Sequence, residues 1–263
     1  MKILVFFLIF LFFSTSSFAE VQRIISLAPS VTEAIYYLNA TDRLVAVSNY
    51  CKWPEEIKSK TKVGGMINPL YEKILVLKPD LVVISKDVTP KEVYNRLIEL
   101  GIKVHVYAPK SLEDIFNELI RLGIVIGKEK EAKSIAYEFQ KKLRKIRKVF
   151  KGQKALFIIW ADPLTVAGKT SHINEVMNLL GLTNIAESSS INIERIIKMN
   201  PDIIFFGVGH KSSVSENLIL KLKDTNAVKN GKVYYISDKI YHLSPRIIEG
   251  IEEMTTKAKT WIK

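Results

Sequence analysis

Two carboxylates, Glu72 and Glu194, occupy the same place in a repeated segment, and a cation follows each at once, Lys73 and Arg195. Tyr71 to Ile84 reappears as Ile193 to Phe206, with its Pro-Asp pair in register. An acid in the first turn of a helix is favoured by the helix dipole, and its recurrence at the same place in both copies is the feature the dipole leaves unexplained. A second group has other chemistry: the rings of Tyr50, Trp53 and Trp160, the thioether of Met66, the imidazole of His242 and the guanidinium of Arg246. Broad aromatic faces with a few oriented polar groups suit a bulky, partly apolar guest, and Arg246 brings a rigid fork of donors for its anionic groups. Lys169 is a further candidate for an acidic side chain of the guest, although a plain surface lysine explains it as well. Catalysis has no comparable support. The chain has no Gly-x-Gly-x-x-Gly, Walker or Gly-x-Ser-x-Gly sequence, and its histidines, at 105, 172, 210 and 242, lack metal-site spacing. Neither an enzyme nor a carrier of bare metal ions is expected.

The elements that must position these residues alternate between strand and helix. Arg23 to Leu27 reads as a strand, and Ser30 with Glu33 reads as a capping box for a helix through Leu38. A strand at Leu44 to Val47 leads into the aromatic loop Tyr50 to Pro54, and Gly64-Gly65-Met66 is a connector. Asn68 is placed to cap the helix that carries Glu72. Leu81 to Ile84 and Lys103 to Val106 are strands around a helix that ends at Gly101, and Ser111 opens another helix. The second half repeats the plan, with a strand at Lys154 to Ile159, a helix at His172 to Leu180 stopped by Gly181, and a strand at Lys232 to Ile236. Ser244-Pro245 begins a closing helix to about Ile262. Unbroken apolar strand cores indicate parallel sheets covered on both faces. Glu129 to Phe150 carries no glycine or proline and reads as one stiff helix spanning ~33 Å. The expectation is an α/β protein of two Rossmann-like lobes with parallel sheets, joined by one long rigid α-helix. Its segments would be 1–19, 20–127, 128–151 and 152–263, the second and last being the lobes and the third the linking helix.

The first segment predicts export. Met1-Lys2 precedes the apolar run Ile3 to Phe13, and Ser17-Phe18-Ala19 suits cleavage before Glu20. That run is too short for a span, which needs ~20 residues. Cys51 is the only cysteine, so no intrachain disulfide forms and none sits at the cleavage site for lipid attachment. A cleavable signal peptide, no lipid anchor and the bacterial periplasm are therefore expected. The formal charge of +12 raises the possibility of nucleic acid. Much of the excess lies between Lys128 and Lys154 with no interleaved aromatic platform, so it reads as a solvated helix and no nucleic-acid partner is expected.

Three segments carry a resemblance: Arg23-Ile24-Ile25-Ser26-Leu27-Ala28-Pro29-Ser30-Val31-Thr32-Glu33, the doubled Glu-helix-Pro-Asp-strand, and Ser244-Pro245-Arg246. In these the chain resembles the periplasmic binding proteins of ABC importers for vitamin B12, haem and iron-siderophore complexes, most of all the vitamin B12 branch. The resemblance implies a monomeric carrier with limited closure and no chemistry on its ligand. It implies that Glu72 and Glu194 dock onto arginines of an ABC importer permease in the inner membrane. It also implies a corrinoid between the lobes, contacted by Tyr50 and by the opening-motif residues Pro29 and Ser30, with ferric siderophore or haem as the alternative. For haem, Tyr50 or His242 would be the axial ligand. The chain departs from the vitamin B12 pattern in two places, Gly64-Gly65-Met66 and Ser85-Lys86, where that branch carries aromatic residues.

Overall fold

A computed structural model describes residues 20–146, 148–207 and 212–259. Residues 1–19, where a signal peptide is expected, His210 and the closing stretch beyond Lys259 lie outside the described residues.

Five strands build the first sheet: β1 (Ile24–Ser26), β2 (Leu44–Val47), β3 (Thr61–Lys62), β4 (Leu81–Ser85) and β5 (Val104–Tyr107). They lie in the order β3-β2-β1-β4-β5, and every pairing is parallel. All five residues of β4 are buried, because helices cover both faces of the sheet. The second sheet comprises β6 (Lys154–Ala161), β7 (Leu164–Val166), β8 (Thr183–Asn184), β9 (Ile203–Gly207) and β10 (Val233–Ile236). Its path is β10-β9-β6-β7, with β8 also paired to β6. The pairings are parallel except for β6 with β7, an antiparallel hairpin that the sequence reading did not foresee.

The duplicated helices are α2 (Tyr71–Val76) and α7 (Ile193–Met199). Their first turns differ. The Asn192 side chain accepts the Arg195 N–H at 2.8 Å and caps α7, whereas α2 starts after Leu70 with no side-chain cap. Asn68 is therefore not the cap expected. Its carbonyl instead closes a tight turn with the Gly65 N–H, and the Leu70 N–H bonds to Val63.

The linking helix is shorter than its apolar spacing suggests. α5 runs Glu129–Lys145, and Ile146 is extended (ψ 121°). Phe150 is buried and Ile146 and Val149 are partly buried in the second lobe's core, so their apolar spacing serves a chain that has left the helix. Nor does α5 act alone. α4 (Asp114–Val125) packs along it and places Ile115 and Phe116 in the second lobe's core but Leu119 and Leu122 in the first's. α5 does likewise with Phe139 and Ala132. A pair of helices braces the lobes. Among the described residues no helix is long and apolar enough to cross a membrane.

Candidate interlobe site

In parallel α/β sheets, ligands bind beyond the carboxyl ends of the strands. The carboxyl edges of these two sheets face each other, as contacts at one end of their junction show. α1 (Pro29–Tyr37) follows β1, and α10 (Ile247–Lys259) follows β10 through a turn at Asp238–Ile240. The Tyr37 hydroxyl donates to Glu249 Oε1 at 2.8 Å. Burial, and then the bond to Glu249, push that hydroxyl well above its ordinary pKa, which keeps it a donor.

Glu33 is the centre of the junction. No capping box forms, since Ala28 is the N-cap without a side-chain bond and Pro29 occupies the first turn. Glu33 instead points at the other lobe and is 1 % exposed. Its Oε1 accepts from Arg246 Nη1 at 3.0 Å and lies 3.0 Å from His242 Nδ1, while Oε2 accepts from the Ser244 hydroxyl. A carboxylate out of water must be paired and hydrogen-bonded, and these three groups do both.

That arrangement engages two of the side chains expected at the ligand. Arg246 offers no free fork, because it is buried and its second amino group binds Asp238 Oδ1 at 3.2 Å. Its guanidinium carbon also lies 4.5 Å from the Trp53 ring centroid, a cation–π contact that joins the lobes. His242 has one ring nitrogen held by Glu33. Both residues thus fasten lobe to lobe. Trp53 is half-buried and packs its edge on Tyr36, with centroids 4.5 Å apart, so it too belongs to the junction.

Two rings remain presented to solvent. Tyr50, after β2, is 55 % exposed, and Trp160, near the end of β6, is 56 % exposed. Each lobe therefore carries one at its carboxyl edge. Gly65 backs Tyr50: a Cβ there would lie 3.4 Å from the ring and 2.4 Å from the Asn68 side chain. The loop bearing half-buried Met66 is thereby held beside Tyr50. Pro29 is half-buried and Ser30 buried at the head of α1. Lys169 pairs with Glu187 on the surface at 2.5 Å. Glu72 and Glu194 are both exposed on their helices.

Beneath the first lobe's edge, Ser26, Thr32, Ser48 and Cys51 form a buried network, with Ser26 Oγ 2.8 Å from Thr32 Oγ1 and the latter donating to Cys51 Sγ at 3.1 Å. Burial pushes the Cys51 thiol up, so it stays protonated and inert. No group of three or more His, Cys, Asp or Glu side chains that could hold a metal ion occurs among the described residues.

Two opposed lobes with aromatic rims and a braced junction describe a solute-binding protein. The chain belongs to the periplasmic binding protein family, whose model matches residues 24–240. It is 32% identical over 250 residues to the uncharacterized ABC transporter substrate-binding lipoprotein YvrC of Bacillus subtilis, covering 89% of this chain and 79% of that protein. The vitamin B12-binding protein of Vibrio cholerae is 26% identical over 262 residues, 95% of each chain. The crystal structure of the Vibrio cholerae vitamin B12-binding protein superposes with a TM-score of 0.78, covering 92% of this chain and 98% of that one. A haem-binding periplasmic protein from Roseiflexus sp. RS-1 shares the fold, with a TM-score of 0.81 at 22% identity over 90% of this chain and 97% of the other. The protein is thus an exported substrate-binding protein of the ABC transporter class.

Proposed function

We propose that the protein captures a corrinoid between its lobes in the periplasm and delivers it to the permease of an ABC importer. The observation that carries the reading is the pair Tyr50 and Trp160, one exposed ring on the carboxyl edge of each lobe. A macrocycle presents two broad faces, and opposed aromatics bury both without ordering long side chains. Similarity to vitamin B12-binding proteins along nearly the whole chain supports the choice of guest. Met66 adds a polarizable contact beside Tyr50, and Pro29 and Ser30 shape the floor at the start of α1. His242 and Arg246 then act on the guest indirectly, through the lobe geometry that they hold.

Glu72 and Glu194 are the docking acids of this reading. Each stands exposed in the first turn of a repeated helix, so a permease reading both registers the two lobes at once. The carrier is monomeric, with lobes at 20–127 and 152–263 and a cleavable leader at 1–19.

Haem or a ferric siderophore is the competing guest, and for haem Tyr50 is the exposed axial ligand available. Tryptophan fluorescence titration with cyanocobalamin, haemin and a panel of ferric siderophores separates the cases. Tight binding of cyanocobalamin alone is expected. Silence towards it beside tight haemin binding would reject the corrinoid.

A further inference from the structure

Between Glu138 and Asp162 the sequence holds eight Lys or Arg residues and no Asp or Glu. In the structure this run is not one solvated helix. It covers the last turns of α5 and the entry to β6 at the amino edge of the second sheet. Other segments bring cations to the same edge. Lys154 Nζ donates to the Met199 carbonyl at 3.5 Å, which sets Lys198 at the end of α7 beside it. α10 borders a small cavity with Lys145, Ile146 and Val149 through Ile251, Glu252, Thr255 and Thr256. Lys142, Lys145, Lys148, Lys151, Lys154 and Lys198 are all exposed. None of these six pairs with a carboxylate among the described residues, whereas Lys257 and Lys229 pair with Glu253 and Asp224. Asp202 is held by the Lys154 backbone N–H and the Asn226 side-chain amide, and Glu252 of α10 lines the small cavity. The edge is strongly positive.

We propose that this amino edge of the second lobe is an electrostatic foot that rests on an anionic phospholipid surface. Lysines are hydrated point charges, suited to diffuse attraction rather than to two-pronged reading of one phosphate. The exposed ring on α5 is Tyr137, one turn before Lys141, and a single ring is no platform of successive stacked bases for nucleic acid. Ile146 and Val149 pack inward on the lobe's core, so contact is made by charge without insertion, and it is reversible. Parallel strands run from this edge to the carboxyl edge, so the ligand rim lies at the other end of the lobe, whereas Glu194, one turn before Lys198 on α7, lies beside the foot. Seated on the foot, the protein holds its ligand rim away from the bilayer.

The test is co-sedimentation of the mature chain with phosphatidylcholine vesicles with and without phosphatidylglycerol. Binding is expected only to the anionic vesicles, and it should vanish near 1 M salt, where the Debye length is ~3 Å. Lys145→Glu, Lys148→Glu, Lys151→Glu and Lys154→Glu together should weaken it at least a hundredfold, since each juxtamembrane cation is worth roughly fivefold. The control carries the same charge change on exposed lysines of the first lobe, Lys52→Glu, Lys91→Glu, Lys103→Glu and Lys110→Glu. It should lose less than about tenfold. Milder Lys→Gln replacements at the first four sites, with circular dichroism, keep the result independent of folding. Equal loss in both quadruple variants would reduce the effect to net charge and overturn the foot. So would equal binding to neutral vesicles, or retention on heparin without any binding to vesicles.

Discussion

Arg246 Nη1 and Glu33 Oε1 meet at 3.0 Å across the junction of the lobes, and both side chains are almost wholly buried. Removing one member of such a pair leaves the other charged and dry. Glu33→Ala should therefore cost about 3–5 kcal/mol of stability, read as the shift in the urea midpoint. Glu33→Leu combined with Arg246→Met should recover much of that loss, since an apolar pair leaves no orphaned charge. A single variant as stable as the parent would show that the junction adds nothing.

The rim aromatics should be separable from the junction. Tyr50→Ala and Trp160→Ala are each expected to weaken cyanocobalamin binding by about 1.5–3 kcal/mol, with thermal stability little changed because both rings are exposed. Isothermal titration calorimetry measures the first and a melting curve the second. Unchanged affinity in both variants would move the guest elsewhere.

Docking makes the reverse demand. Glu72→Ala with Glu194→Ala should lower uptake in cells by at least about tenfold while the purified protein binds its ligand as before. Each single variant should fall between, as expected when two linked contacts share one task. A lost ligand affinity would contradict the docking role.

Stability should also fall on mild acidification. Burial holds His172 below its ordinary pKa and outweighs the bond of its Nε2 to the Ile240 carbonyl at 3.0 Å, which acts the other way. His105 is lowered by burial too. The unfolded chain takes up these protons near the ordinary value of about 6.5, so it binds more than the folded protein does below that pH. Stability is then fully present above about pH 6.5 and declines as the pH falls towards the folded values. Urea midpoints from about pH 8 to about pH 5 should show the decline, and His172→Gln should flatten it. An unaltered slope in that variant would assign the titration to other groups.

The strands were legible because a parallel sheet covered on both faces needs unbroken apolar runs, and Leu81 to Ile84 and Ile203 to Phe206 supply them. Gly181 announced the end of α6 (His172–Leu180) by its left-handed φ of 84°. Glu33 was misread because Ser30 stands three residues before it, the spacing of a capping box. Local pattern carries no record of a partner that arrives more than two hundred residues later in the chain. The end of α5 was hidden for a related reason: Ile146, Val149 and Phe150 keep a helical rhythm although the second lobe's core takes them outside any helix. Arg246 looked like a ligand clamp because Glu33 and Asp238, which occupy it, are adjacent only in the fold.

α4 and α5 have one more implication. Each donates side chains to both cores, so a cut through the chain at their turn would strip apolar wall from whichever fragment was kept. The duplicated halves have become mutually indispensable: what the repeat doubled, the shared helices no longer allow to be divided.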